Sequence, residues 1–417
     1  MGLCFNSSAL CIYIIGVLEL QVPFDHSQAI PLLQRLLLPI NPRFSSIMVK
    51  HKSGEKRWRK IRVKLKDHIN IPLFPESKSK QSYDNYFADY LSRIAIEKLP
   101  ENKPLWEIHT VNYPTSSAAS SLIFKLHHAL GDGYSLMGAL LSCLQRAVDP
   151  SLPLSFPSLK PSKSANKSFF SRFSSVMSLA CNTLVDLWWG LTNTTAIEDD
   201  KTPIRSGFQT GETRPVTIST ITFSLDQIKL IKSRLGVTVN DAIVGIVFYG
   251  TRLYMQGVDN KSGAAKSTAL VLMNTRNIEC YQSVNDMLSA HQAKRSWGNR
   301  VSFVHVPIPK SEGKRISKQL DFIWEVHHII KSKNQSLVVP LNGMLLDMKS
   351  KLKGYEAVAK HVYNAATKSS ATITSLIGPS QQMSLANHPV NGFCFTVAGG
   401  PESLLISIMS YMGNWEF

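Results

Sequence analysis

Short apolar runs of strand length alternate with segments of helical spacing from one end of this chain to the other. That alternation confines it to a mixed α/β fold. In the first half, strands are expected over 8–20, 47–49, 58–65, 106–111 and 121–126, with helices over 27–38, 83–97 and 135–147. In the second half, strands are expected over 217–223, 269–273 and 301–306, and helices over 225–235, 240–254 and 310–333. Apolar segments at 371–377, 392–397 and 404–409 close the chain. A Pro-, Ser- and Lys-rich stretch at 149–168 reads as an exposed connector. With 417 residues the chain suits two domains of roughly 200 residues each. The polar segment 197–213, with Gly207 and Gly211 near its end, divides it into domains 1–196 and 214–417.

The formal charge of +17 favours anionic partners such as acidic lipid headgroups or a phosphate-bearing molecule. Its densest stretch runs over 50–66, where Ile61, Val63 and Leu65 alternate with Arg62, Lys64 and Lys66. That is the pattern of a half-buried strand whose basic face is either simply solvated or attracted to a membrane or phosphate. Nucleic acid is not expected: no zinc-finger spacing, RNP-like aromatic motif or basic leucine zipper occurs. The six cysteines are scattered, without a CxxC pair, so neither a zinc site nor a disulfide framework is indicated and a reducing compartment fits.

Two segments raise the question of a membrane. Residues 9–22 are apolar but too short to span, contain Glu19, lack a basic flank, and read as a buried strand. Residues 169–191 carry Arg172 and Asp186 within an apolar run. They read as an amphipathic helix, packed on the core or lying at a membrane interface, rather than a span.

The chemistry is concentrated in one stretch, Lys125-Leu126-His127-His128-Ala129-Leu130-Gly131-Asp132-Gly133, where an apolar strand stops and a helix starts. Neighbouring side chains of a strand point to opposite faces, so one histidine packs or orients while the other is available to substrate. Gly131 and Gly133 are expected to permit a tight turn with unusual backbone angles that brings Asp132 back near a histidine. An imidazole, with a pKa of about 6.5, is largely neutral at cellular pH and can take a proton from a substrate hydroxyl. Structural histidines, or half of a metal site, are the alternatives; no HExxH or third ligand cluster supports a metal. No GxSxG nucleophile elbow and no GxxxxGK phosphate loop occurs.

The segment HHALGDG, preceded by Pro104-Leu105-Trp106-Glu107, resembles the acyltransferase motif of the plant-type wax ester synthase/diacylglycerol acyltransferase family. Further blocks in the family's order are Asp200-Lys201-Thr202-Pro203-Ile204-Arg205-Ser206-Gly207, Val239-Asn240-Asp241-Ala242, Leu272-Met273-Asn274-Thr275-Arg276 and Trp297-Gly298-Asn299-Arg300. Ile377-Gly378-Pro379 and Ala386-Asn387-His388-Pro389-Val390 complete them. The resemblance implies two chloramphenicol-acetyltransferase-like domains with a tunnel between them. Acyl-CoA as cosubstrate, with no bound cofactor, and a long-chain alcohol or diacylglycerol would meet there at His128. It also implies His127 and Asp132 as companions of His128, with Asp132 paired to an arginine, for which Arg276 is the candidate and Arg252 and Arg300 are alternatives. Asn240 and Asp241 would support the site, or Asn240 would simply cap a helix. A membrane surface, at the cytosolic face of the endoplasmic reticulum or at the plasma membrane, is the implied location. Ser375 stands where the family commonly has Asn. The chain also begins almost directly at a strand and stops at Trp415-Glu416-Phe417, without the family's upstream segment and closing helix, so open edge strands and an incompletely walled tunnel are expected. A catalytically idle lipid-binding paralogue, or a soluble acyltransferase of specialised metabolism, are the competing readings; the latter's DFGWG-like motif is absent.

Overall fold

The computed structural model describes residues 6–7, 9–52, 56–152, 154, 169–205, 215–276, 297–310, 319–334 and 336–416. In chain order its strands and α-helices are β1 (Tyr13–Leu20), α1 (His26–Ile40), β2 (Ser46–Lys50), β3 (Lys56–Lys60), β4 (Ile69–Asn70), α2 (Lys80–Ile96), β5 (Trp106–Val111) and β6 (Ser120–His127). Then come α3 (Gly133–Ser142), β7 (Gln145–Arg146), α4 (Phe169–Thr195), β8 (Thr222–Ser224), α5 (Leu225–Leu235), α6 (Val239–Val258), β9 (Thr268–Asn274) and β10 (Val301–Pro307). The chain continues through α7 (Gln319–Asn334), α8 (Val338–Lys368), β11 (Ala371–Ile377), β12 (Met383–Leu385), β13 (His388–Ala398), β14 (Leu405–Tyr411) and β15 (Asn414–Glu416).

The strands form two large sheets and a separate β2–β3 hairpin. A seven-stranded sheet has the order β4-β5-β6-β1-β13-β12-β7, and a six-stranded sheet the order β10-β9-β11-β14-β15-β8. The apolar run near the start of the chain is the middle of the first sheet. Strand β1 pairs antiparallel with β6 and with β13, and all its residues but Glu19 are buried, which is why its sequence is almost continuously apolar. Two strands from the second half of the chain, β12 and β13, join this first sheet, so the sheets do not follow the division of the sequence at 197–213.

One apolar core lies between the first sheet and helices α1 and α3, through residues such as Leu33, Leu37, Leu136 and Phe393. A second core gathers α6 and α7 on the other sheet through Phe248, Val304, Phe322 and Val326. Among the described residues no helix is long and apolar enough to cross a membrane.

Several elements differ from the sequence expectation for identifiable reasons. The helix expected over 135–147 ends at Ser142, because Gln145 and Arg146 pair with β12. Of the strand expected over 58–65, residues 58–60 pair with β2. Beyond them Ile61 and Val63 are half-buried and Leu65 buried, while Arg62, Lys64 and Lys66 are exposed, so the alternation persists without a partner strand. The strand expected over 217–223 shrinks to Thr222–Ser224. Of the helix expected over 310–333, residues 311–318 lie outside the described residues, as do 155–168 of the connector and 206–213 of the linker. Helix α8 has no counterpart in the sequence reading; it bends at Gly354, whose φ of 79° interrupts the helix. Strand β15, near the end of the chain, pairs with β14 on one side and β8 on the other, so it is an interior strand and not an open edge.

Candidate active site

Strand β6 delivers the two histidines and ends between them. His127 is its last residue, 2% exposed; its ring stands edge-on to Tyr13 and its Nδ1 accepts the backbone N–H of Ala129 at 3.0 Å. An Nδ1 that accepts leaves the proton on Nε2, which lies 3.6 Å from Cys11 Sγ. Burial, with the neighbouring His128 and Lys56 adding to it, pushes His127 down to about 3, so it is a neutral part of the turn. His128 is the first residue past the strand and lines a cavity between the two sheets. Burial lowers its pKa from the ordinary value, with the Asp132 charge opposing in part. Its imidazole is therefore neutral across the physiological range, the form that accepts a proton.

Asp132 is saturated. Its Oδ1 accepts the backbone N–H of Ser135 at 3.0 Å, the Ser135 hydroxyl at 2.8 Å and Arg276 Nη2 at 3.1 Å. Its Oδ2 accepts Arg276 Nη1 at 2.6 Å and the backbone N–H of Arg300 at 2.9 Å. The first of these bonds caps helix α3, and the forked pair with Arg276 ties the loop to the end of β9 in the other sheet. Of the three candidate arginines, Arg276 pairs with Asp132 and Arg300 contributes only a backbone N–H. Arg252 lies elsewhere, buried and donating to the carbonyls of Ile308, Pro309 and Ser262.

The glycines act differently from the expectation. Neither Gly131 nor Gly133 has a positive φ. They are needed for space: a Cβ on Gly131 would stand 3.0 Å from Ser135 Cβ, and one on Gly133 3.0 Å from Leu376 Cδ1. The glycine with the unusual backbone is Gly298, at φ 123°. Its carbonyl accepts from Arg276 Nη2 at 2.9 Å and from Asp132 N at 3.3 Å. Its neighbours close the clamp, with Trp297 Nε1 donating to Leu130 O at 2.9 Å and Asn299 Nδ2 to His128 O at 3.0 Å. Arg43, from the other side, donates to Ala129 O and Leu130 O. Of the block 297–300 the sequence suggested a role only for Arg300, as a possible partner of Asp132, and nothing marked Arg43.

Asn240 and Asp241 do not line the cavity. They sit in the first turn of α6, where Thr238, not Asn240, is the cap. Asp241 completes a capping box with Thr238 and bonds His327 Nδ1 at 2.7 Å.

The cavity encloses about 200 Å³ and is mostly apolar, walled by residues such as Ile12, Leu272, Phe303, Val358 and Val397. Its polar lining includes His128, Arg276, Thr374, Ser375 and Glu402. A smaller apolar cavity of about 40 Å³ lies beneath α3, and Ile14, Gly133, Leu376 and Phe395 border both. A neutral buried imidazole in the wall of an apolar chamber suits proton abstraction from a poorly water-soluble hydroxyl compound. Among the described residues no group of three or more His, Cys, Asp or Glu side chains is placed to hold a metal ion.

Residues 39–243 match the wax ester synthase/diacylglycerol acyltransferase catalytic domain, and residues 297–417 match the C-terminal domain of the same proteins. The chain belongs to the wax ester synthase/diacylglycerol acyltransferase family. It is 28% identical over 447 residues to wax ester synthase/diacylglycerol acyltransferase 6 of Arabidopsis thaliana, covering 98% of this chain and 85% of that protein. To number 10 of the same plant it is 29% identical over 403 residues, covering 89% and 81%. Among solved structures it is similar to the family's representative from Marinobacter aquaeolei VT8, with a TM-score of 0.57, 14% identity and coverage of 97% and 87%. The first condensation domain of the CDA synthetase gives 0.53, 12%, 97% and 84%. The fold is thus the two-lobed, chloramphenicol-acetyltransferase-like α/β architecture, and the protein is an acyltransferase.

Proposed function

We propose that this acyltransferase moves a fatty acyl group from acyl-CoA to the hydroxyl of a long-chain alcohol, of diacylglycerol, or of both, with His128 as general base. The observation that carries the reading is the buried imidazole of His128 in the wall of an apolar cavity, where burial favours its neutral form. In the proposed reaction the hydroxyl oxygen attacks the thioester carbonyl as the imidazole takes its proton. The tetrahedral intermediate collapses to the ester and expels the coenzyme A thiolate, which takes the proton back from the imidazolium. No covalent enzyme intermediate is needed, because a thiolate is already a good leaving group.

His127 holds the turn through Ala129, and Asp132 with Arg276 holds the loop between the two sheets, so both position His128. The relatives' names support lipid acceptors, and the apolar walls of the cavity accommodate them. We place the working protein at the cytosolic face of the endoplasmic reticulum or at the plasma membrane, where such acceptors are dissolved.

Purified protein incubated with labelled palmitoyl-CoA and hexadecanol, diacylglycerol or a phenolic acceptor tests the proposal. Ester is expected with one or both lipid acceptors and none with the phenol. His128→Ala should lower turnover by about 10²- to 10⁴-fold while the circular dichroism spectrum is unchanged. Retained turnover in that variant removes His128 as the base, and product with the phenol alone removes the lipid acceptor.

A further inference from the structure

Over residues 179–195, helix α4 turns polar side chains inward and large apolar ones outward. Its most buried positions are polar, Thr183, Asp186, Asn193 and Thr194, with Asp186 paired to Lys333, and Leu187 between them packs on the second core. Its outward positions are apolar, with Leu184 68%, Val185 65%, Trp188 70% and Leu191 55% exposed. A helix on the surface of a water-soluble protein does the reverse, turning its apolar stripe to the core. An inverted helix is at home where its outer surroundings are themselves apolar.

The same character continues along α8. The two helices meet where Leu337 N donates to Thr183 Oγ1 at 3.0 Å. From there Leu337, Met344, Leu345, Met348 and Leu352 are all exposed. Lys351 and Lys353 lie exposed beside Leu352, and Lys349 is half-exposed one turn earlier. The inward side of this helix, through Leu346, Val358, Val362 and Ala366, is a wall of the cavity that holds His128. The bend at Gly354 falls between the exposed Leu352 and the cavity-lining Val358.

We propose that the outer faces of α4 and α8 lie on a membrane containing anionic lipid, so that α8 is a shared wall between bilayer and reaction chamber. Exposed large apolar groups that are contiguous and rimmed by polar residues mark an interaction surface. The lysines among them, on a chain of net charge +17, select an anionic bilayer as the occupant. An interfacial helix buries its apolar face about 5–10 Å into the headgroup–acyl boundary, and Trp188 is the residue type favoured there. This surface gives the lipid acceptor a short path from its solvent to His128, and to that extent rests on the proposed acyl transfer.

The test uses the full chain, with Leu184→Gln, Trp188→Gln and Leu191→Gln combined in one variant, and Met344→Gln, Met348→Gln and Leu352→Gln in another. Sedimentation with phosphatidylcholine vesicles, with and without phosphatidylserine, reads the surface directly. The unaltered protein is expected to bind, more strongly with phosphatidylserine, and each variant to bind at least roughly tenfold more weakly, since burying one such side chain is worth about a decade or more in an equilibrium constant. Lys351→Gln with Lys353→Gln should reduce the phosphatidylserine preference alone. Turnover of a short-chain alcohol with octanoyl-CoA in solution should be unchanged in both apolar variants, while turnover of vesicle-embedded diacylglycerol falls.

Vesicle binding equal to that of the unaltered protein overturns the surface. So does an unaltered protein that ignores vesicles but self-associates through these residues, detected by sedimentation velocity, because a second copy is then the occupant. Binding is read without turnover, so a protein inactive on every substrate that still needs these side chains to bind upholds the surface while overturning the reaction.

Discussion

Two buried carboxylates in this protein look alike and do different things. Asp132 collects Ser135, Arg276 and the backbone of Arg300, residues up to 168 positions away. Asp199 collects the backbone and hydroxyl of Thr268 at 2.6 and 2.9 Å and those of Ser370 at 2.9 and 2.7 Å, up to 171 positions away. Arg205, in the Asp200–Arg205 block, reinforces the second knot by donating to the carbonyls of Asp199 and Thr367. Both are fasteners that join distant segments. Only the first lies in the cavity wall, and only the first is closed by a forked arginine pair. The lone pairs of the Asp132 carboxylate are all engaged, so although it lies in the cavity wall it acts as a fastener of the loop that carries His128.

The sharpest way to break this contrast is to cut each knot. Arg276→Met leaves the Asp132 charge buried without its cation. It is expected to cost about 3–5 kcal/mol in chemical denaturation and to lower turnover per folded molecule, because the loop carrying His128 loses its tie to β9. Asp199→Ala strands the donors of Thr268 and Ser370, with an expected loss of about 1–3 kcal/mol and unchanged turnover per folded molecule. Equal turnover losses in the two variants would show that the second knot also governs the site. The smallest effect is in pH. His127, held down to about 3, and His305 and His361, held down to about 4, bind protons more readily in the unfolded chain. Their contribution to stability is complete above pH 6.5 and is lost as pH falls from 6.5 toward 4 and then 3, at up to about 1.4 kcal/mol per pH unit for each fully buried group. Thermal unfolding followed across that window checks the sign; a melting temperature that rises on acidification contradicts the buried neutral histidines. His127→Gln should flatten the lower part of the slope.

The contrast also separates what local sequence encodes from what it does not. Most strands and helices were legible, because period-two and helical spacing are local. So was the different placement of His127, packed into the turn, and His128, on the cavity, which follows from the alternation of a strand that stops between them. Arg276 was named as Asp132's partner only through the family resemblance, with Arg252 and Arg300 not excluded, since ion pairs between sheets leave no trace in spacing. Helix α8 was illegible because its Leu and Met residues face outward as well as inward, which blurs the amphipathic stripe. The glycines were noticed for the wrong reason: Gly133 yields room to Leu376, a contact 243 positions downstream, while the backbone requirement sits at Gly298.

The place of β13 in the first sheet has a consequence for biosynthesis. Domains commonly fold in the order in which a ribosome makes them, the amino-terminal one first. Here β1 is made long before residues 388–398, which form one of its two neighbours. Until they emerge, the nascent lobe bearing the histidines presents a bare strand flank, the kind of edge that recruits another chain. The first sheet is therefore completed only once residues 388–398 have emerged, and a chaperone that shields the β1 flank until then is expected to raise the folded yield.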